Sequence, residues 1–253
     1  MVDLLKVKER LDIIQNTSNK NSSLWKPSPG SQIIRFIPYK FNKEFPFMEL
    51  YFHYGIQGKS ILSLKSFNES DPISEFAEKL KLSGNRDDYR LGKRFEPKMR
   101  IYAPMIVRGE ESNGVKFWGF GKMVYQELLS IMNDEDYGDI TNPSSGRDVV
   151  VDYKSAEEVG RSFPETKVRV KPNQTILFEN EETSKKLIEN QQDIFSIFKK
   201  QDYNTLQQLL SDYLKGSDDD EPSPSKVVEE SKELSSEEHQ KDVSTAFDEL
   251  FDN

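Results

Sequence analysis

The chain of 253 residues contains no cysteine, which excludes disulfide cross-links, thiolate zinc sites and a cysteine nucleophile. Imidazole is nearly absent too. The two histidines are His53, in an apolar stretch, and His239, among acids, and they do not make a metal-binding pair. His53 reads as a satisfied core histidine. Apolar residues are scarce at 35% against 31% charged, too few for the whole length to pack, so part of the chain is expected to be unstructured. No apolar run approaches the roughly 20 residues that span a bilayer. The start, Met1 to Lys6, lacks a signal-peptide pattern, so the expectation is a soluble, intracellular protein. The phosphate-loop, dinucleotide, zinc-protease and nucleophile-elbow motifs are missing as well.

What is present is unevenly spread. The net charge of −9 argues superficially against nucleic acid, but residues 216–253 carry 13 acids against three lysines. The rest of the chain holds 32 bases and 31 acids. The acidity therefore belongs to the C-terminal segment, which also contains Pro222 and Pro224 and is expected to be a disordered tail. Aromatics reach 11%, mostly before residue 215, so a real core exists there. Three regions follow: an N-terminal arm over 1–22, a folded core over 23–215, and the acidic tail over 216–253.

Leu4, Leu5, Val7, Leu11 and Ile14 form an apolar stripe that predicts a short helix, followed by a polar linker. Strands are expected over Gln32–Ile37, Phe47–Tyr54, Ser60–Leu64, Met99–Val107 and Val115–Phe120, with a final hairpin of Val149–Tyr153 and Lys167–Val170. Ile73–Leu82 reads as a helix capped by Asp71, and Lys122–Met132 as an amphipathic one. Ser83–Glu96 reads as polar, basic and turn-like. Thr183–Lys199 and Asn204–Lys215 read as helices that pack back on the core. The sum is mostly β with flanking helices, an α+β chain whose short strands fit an OB-type barrel with a small helical subdomain.

One chemical pattern stands out, bases interleaved with aromatics. Arg86, Tyr89, Arg90, Lys93, Arg94, Phe95, Lys98, Arg100, Tyr102 and Arg108 are followed by Lys116, Phe117, Trp118, Phe120 and Lys122. Single-stranded nucleic acid needs this mixture, because rings stack on bases while cations neutralise phosphates. Period-two alternation puts Phe117 and Trp118 on opposite faces, so only one of them is expected in the core. Lys167, Arg169 and Lys171 make one basic strand face, which by itself is a solvent face. The competing reading is that every ring is core and every base is solvation. Asp134, Glu135, Asp136 and Asp139 keep open a metal-dependent nuclease, although a solvated loop explains them as well. A phage protein-interaction scaffold is the third possibility.

Trp25 with Gln32-Ile33-Ile34-Arg35-Phe36-Ile37-Pro38 resembles the entry to the core of the T-even-type phage helix-destabilising proteins. So do Tyr102-Ala103-Pro104-Met105-Ile106-Val107 and Val115-Lys116-Phe117-Trp118-Gly119-Phe120-Gly121-Lys122. The resemblance covers residues 20 to 175 loosely and these three blocks well. It implies a non-catalytic OB-fold protein without a cofactor that coats single-stranded DNA cooperatively in phage replication, recombination and repair, in the infected host's cytoplasm. It implies a groove arginine at Arg35 and stacking rings at Tyr102, Trp118, Tyr89 and Phe163. Lys98, Arg100 and Lys122 would line the strand, joined by Arg90, Lys93, Arg94, Lys116 and Phe120 from the basic and aromatic runs. The basic arm, with Lys6, Lys8 and Arg10, is the expected self-association element. The tail is the expected contact with replication and recombination proteins, through Phe247, Leu250 and Phe251, which fall at i, i+3 and i+4. The best-known members carry a Cys-Pro-x-Cys zinc element. The equivalent stretch here reads Asp71-Pro72-Ile73-Ser74, so that subdomain is expected to hold by packing of Phe67, Ile73, Phe76 and Leu80.

Overall fold

The computed structural model of the chain describes residues 23–216. The expected arm and all but the first residue of the expected tail lie outside them. In chain order the strands are β1 (Leu24–Trp25), β2 (Gly30–Phe36), β3 (Met48–Ile56), β4 (Lys59–Leu62), β5 (Lys98–Val107), β6 (Lys116–Phe120), β7 (Arg147–Lys154) and β8 (Glu165–Gln174). The helices are α1 (Pro72–Leu82), α2 (Arg86–Phe95), α3 (Lys122–Met132), α4 (Ala156–Val159), α5 (Glu181–Glu189), α6 (Ile194–Ile197) and α7 (Tyr203–Gly216). These elements fall into two compact units. One comprises residues 23–49 and Met99–Phe198, the other Leu50–Lys98 and residues 199–216.

The first unit is built on a sheet in the order β1-β6-β5-β2-β7-β8. Its pairs are antiparallel except for β1 on β6, which is parallel. Alternation sorts its side chains. Ile34 and Phe36 of β2, Ile101, Ala103 and Met105 of β5, Trp118 and Phe120 of β6, Val149 and Val151 of β7, and Val168 and Val170 of β8 share one face. Val124, Tyr125 and Leu128 of α3 close that core. On the opposite face Ile37 and Ile106 are buried with Leu177, and Val115, Phe178, Leu187 and Ile188 pack around them. A sheet covered on both faces buries apolar residues at consecutive positions. Phe117 and Trp118 are therefore both core, contrary to the expectation that only one would be. Phe117 meets Tyr39 edge-on at 5.8 Å, while Trp118 stacks on Phe36 at 6.0 Å.

The fold is mixed α and β dominated by this sheet, as expected. The expected barrel is not seen: the path of strand pairs ends at β1 and β8 and leaves the sheet open.

The second unit contains the β3–β4 hairpin, α1, α2 and α7. Ile73, Phe76, Ala77 and Leu80 of α1 pack with Phe95 of α2 and Leu206 and Leu210 of α7. The expected packing by Ile73, Phe76 and Leu80 is found. Phe67 is instead half-buried, with the Lys200 ammonium 4.7 Å from its ring.

Helix α2 corrects the turn-like reading of Ser83–Glu96. Asn85 caps it, its side chain accepting from the Asp87 amide at 2.8 Å. Asp87 and Asp88 sit in the first turn, and Lys93 and Arg94 in the last, so the charges complement the helix dipole. Only Asp88, Gly92 and Phe95 are buried. An apolar stripe this thin leaves no periodic signal, and the dense charge reads as a loop. Gly92 is required by a close crossing, since a Cβ there would lie 2.6 Å from the Ala77 carbonyl oxygen of α1.

Candidate nucleic-acid interface

In the second unit α2 turns Arg86, Tyr89, Arg90 and Lys93 to one side, at i, i+3, i+4 and i+7. All four are exposed, as is Arg94 beside them. Tyr89 is 48% exposed, and the Lys93 ammonium lies 5.9 Å from its ring centroid. Arg90 reaches Asp87 at 3.3 Å and Lys93 reaches Glu96 at 3.2 Å. Exposed pairs of this kind are worth about 1 kcal/mol or less, so a phosphate can displace them. The helix thus presents a ring flanked by cations.

In the first unit the comparable feature is on β5. Arg100 and Tyr102 share the face opposite Ile101 and Ala103, and Lys98 opens the same strand, exposed, with the same parity. Arg100 donates from Nη2 to the Gly119 carbonyl at 2.7 Å. Tyr102 is paired with Gly119 in register, and its ring lies across that glycine. A Cβ on Gly119 would stand 2.6 Å from Tyr102 Cε1. A glycine in mid-strand is the one sequence signal that could have disclosed this close approach. The Tyr102 ring also meets Phe198, with centroids 4.8 Å apart and planes tilted by 54°.

Three expected contact residues are placed elsewhere. Trp118 and Phe120 belong to the inner core, with Trp118 only 2% exposed and packed against Trp25, Phe36 and Phe120. They do not offer a stacking surface here, because both lie on the sheet face that α3 covers. Arg35 is fully buried and forms a clamp instead of facing a phosphate. It donates from Nη1 to Thr175 Oγ1 at 2.7 Å, and from Nη2 to the carbonyls of Asn142 at 2.7 Å and Thr175 at 2.9 Å. Asp148 lies 3.6 Å away and also receives Arg108 Nε at 2.9 Å. Arg108 grips the next two carbonyls, those of Ile176 and Leu177. Two guanidinium groups thereby tie the strap after β8 to the sheet. Burial pulls the Arg35 guanidinium down to about 10, against the attraction of Asp148, so it stays charged at neutral pH.

Of the remaining expected residues, Lys116 is half-buried, Lys122 is exposed at the start of α3, and Phe163 is 80% exposed in the loop before β8. The structure groups Tyr89, Arg90, Lys93 and Arg94 on one helix, and Arg100 with Tyr102 on one strand. Lys6, Lys8, Arg10, Phe247, Leu250 and Phe251 lie outside the described residues.

A family model described as gp32 DNA binding protein like matches residues 28–215. The chain belongs to this family. No curated protein is similar enough to the chain to count as a match. The match takes in residues of both units. The gp32-like family is one of DNA-binding proteins and not of enzymes.

The zinc element implied by the resemblance does not fit this gp32-like chain. Asp71 accepts at Oδ1 from the Ser74 amide at 2.9 Å and at Oδ2 from the Ser63 hydroxyl at 2.6 Å and the Leu64 amide at 2.8 Å. His53 Nε2 lies 3.1 and 3.2 Å from the two oxygens, and His53 Nδ1 lies 2.7 Å from the Phe95 carbonyl. Both ring nitrogens therefore lie within hydrogen-bond distance of oxygen partners. The ring nitrogens of His53 and both carboxylate oxygens of Asp71 are already committed within this buried hub. Burial alone would raise the Asp71 pKa, but the hydrogen bond and coulombic attraction of His53, with hydrogen bonds from the Ser63 hydroxyl and the Ser74 amide, hold it well below the usual carboxylate range. His53 is thus a satisfied core histidine, as the sequence suggested.

The acidic loop has local work too. Asp134 accepts from the Asp136 amide, and Asp139 from the Thr141 amide and hydroxyl. Among the described residues no three His, Asp or Glu side chains are grouped so as to hold a metal ion, and no helix is long and apolar enough to cross a membrane.

Proposed function

We propose that this chain binds single-stranded DNA without reading its sequence, coating and protecting it during phage replication, recombination and repair in the cytoplasm of the infected cell. The observation that carries this reading is an exposed ring among exposed cations, Tyr89 with Arg86, Arg90 and Lys93 on α2, joined by the exposed Arg100 and the half-buried Tyr102 on β5. Membership of a DNA-binding family supports it. A base gains about 1–3 kcal/mol by stacking on a ring, and each neutralised phosphate adds a salt-sensitive increment. Residues 1–22 then link copies along the strand through the apolar stripe with Lys6, Lys8 and Arg10. Residues 216–253 recruit replication proteins.

Anisotropy of labelled oligo(dT) titrated with the protein at several salt concentrations tests this. Binding should be sequence-blind, and log affinity should fall linearly with log salt. Arg90→Ala with Lys93→Ala should flatten that slope by about 0.7 per charge removed. Absence of binding at low salt would sink the reading. Cleavage of the strand with magnesium would favour the nuclease.

A further inference from the structure

We propose that Phe41, with Lys40 and Lys43 beside it, is a further nucleotide subsite in the first unit, where a base of the DNA strand stacks on the ring. The inference rests on the reading of the chain as a single-stranded-DNA-binding protein. Phe41 is 51% exposed. A lone exposed apolar side chain is ordinary and needs no explanation. The loop that carries this one, however, is firmly built. Gln191, itself buried, donates from Nε2 to the Pro38 carbonyl at 2.7 Å and accepts at Oε1 from the Lys40 amide at 3.0 Å. The Asn42 amide closes a turn on the Tyr39 carbonyl at 3.2 Å, and the Asn42 side chain accepts from the Phe45 amide at 3.2 Å. Phe47 enters the core of the sheet and Phe45 packs against it, so of the loop's three phenylalanines only Phe41 is held out in water. A ring fixed in this way gives up little further freedom when a ligand stacks on it.

The surroundings name the ligand. The Lys40 ammonium lies 5.4 Å from the Phe41 ring centroid and donates to the Glu189 carbonyl at 2.7 Å. A neutral carbonyl does not cancel the ammonium charge, and two of its protons are left for a phosphate. Lys43 is exposed two residues beyond the ring, and Glu44 follows it, so the stretch from Lys40 to Glu44 keeps one positive charge. A ring beside a cation is the pair that Tyr89 and Lys93 make on α2, and it suits a base with its phosphate. Phe41 also leans on Tyr39, with centroids 5.6 Å apart. The Tyr39 hydroxyl donates to Asp193 at 3.1 Å and accepts from the Ile194 amide at 2.9 Å. The Ile37 amide donates to the Pro104 carbonyl at 3.1 Å, and β2 runs antiparallel to β5. The chain leaving β2 through Pro38 and Tyr39 therefore heads toward the end of β5 that carries Tyr102. One rim of one sheet thus offers successive rings to a strand that passes over it.

The test uses the full-length chain and oligo(dT) of about 4 to 16 nucleotides, the range over which one copy fills its site. Phe41→Ala should weaken binding of the longer strands at least about fivefold at an unchanged melting temperature. Phe41→Tyr and Phe41→Trp should keep wild-type affinity, whereas Phe41→Leu, apolar but without a ring face, should not. Lys40→Gln with Lys43→Gln should flatten the slope of log affinity against log salt by about 0.7 per charge removed. A direct readout needs no variant: irradiation of the wild type on an iodouracil-substituted strand should join the strand to Phe41, located by mass spectrometry. Absence of any adduct at Phe41 overturns the proposal, even where Phe41→Ala melts early. So does a Phe41→Ala or Phe41→Leu variant that binds as the wild type does, and either result leaves the single-stranded-DNA reading intact. Failure of the wild type to bind oligo(dT) at low salt removes that reading and the subsite with it. A loss confined to strands that hold several copies overturns the subsite by placing the ring between copies.

Discussion

Asp71→Asn is the most informative single change in the molecule. It keeps the size of the side chain and an oxygen able to cap α1 through the Ser74 amide. It removes the charge that faces His53, and it presents an NH2 group either to the Leu64 amide or to the Ser74 amide, each of which is itself a donor. Breaking a buried ion pair by removing one partner costs about 3–5 kcal/mol, a large share of the roughly 5–15 kcal/mol that stabilises a domain. With a urea slope of about 2 kcal/mol per molar, the midpoint of the affected unit should fall by roughly 2 M. The two units carry different reporters. Both tryptophans, Trp25 and Trp118, belong to the first unit, whereas α1, α2 and α7 of the second dominate its helical signal. Far-UV circular dichroism should therefore show an early helical loss in the variant while tryptophan emission keeps its wild-type midpoint. A midpoint unchanged by circular dichroism would refute the hub as a support of the second unit. The pH dependence has a definite sign. The native Asp71 pKa lies below its unfolded value of about 3.9, so its contribution is complete above that value and is lost as pH falls through the native one. The wild type should lose stability below about pH 4, and the Asn variant should show a flatter profile there.

Trp118→Ala should open a cavity in the first unit and lower stability by about 3–5 kcal/mol in thermal melts, because this ring is core and not a stacking platform. Gly119→Ala should displace the Tyr102 ring and cost about 1–3 kcal/mol, and adding Tyr102→Ala should recover part of that loss, a coupling measured by a double-mutant cycle. Tyr89→Ala should weaken oligo(dT) binding by about 1–3 kcal/mol at constant melting temperature. Chelators should leave the melting temperature unchanged, and a fall of several degrees would reveal a metal site.

Much of the fold is legible in local pattern. The limits of α3 follow from the 3.6-residue spacing of Val124 and Leu128, and the start of α1 from Asp71 followed by Pro72. Strand β5 follows from its apolar run. What is not legible depends on distant partners. Whether Arg35 faces solvent or a clamp is decided by Asn142 and Thr175, which lie 107 and 140 residues away. Trp118 looks like a stacking ring because its sequence neighbours are basic. Its spatial neighbours are Phe36 and Trp25, and those bury it. Helix α2 is hidden by its own charge, and the same charge makes it the clearest part of the proposed interface. His53 and Asp71 are 18 residues apart with no motif joining them.

The Arg35 clamp also sets a clock on synthesis. Ribosomes add about 5–20 residues per second, so the 140 residues between Arg35 and Thr175 take roughly 7–30 s to appear. During that interval the guanidinium has lost none of its hydration, and the strand that carries it has little reason to enter a dry interior. The sheet of the first unit is therefore completed late, after translation has passed β8. A nascent chain stalled between β6 and β8 would leave Trp118, Phe117 and their neighbours exposed to whatever folding helpers the cell supplies.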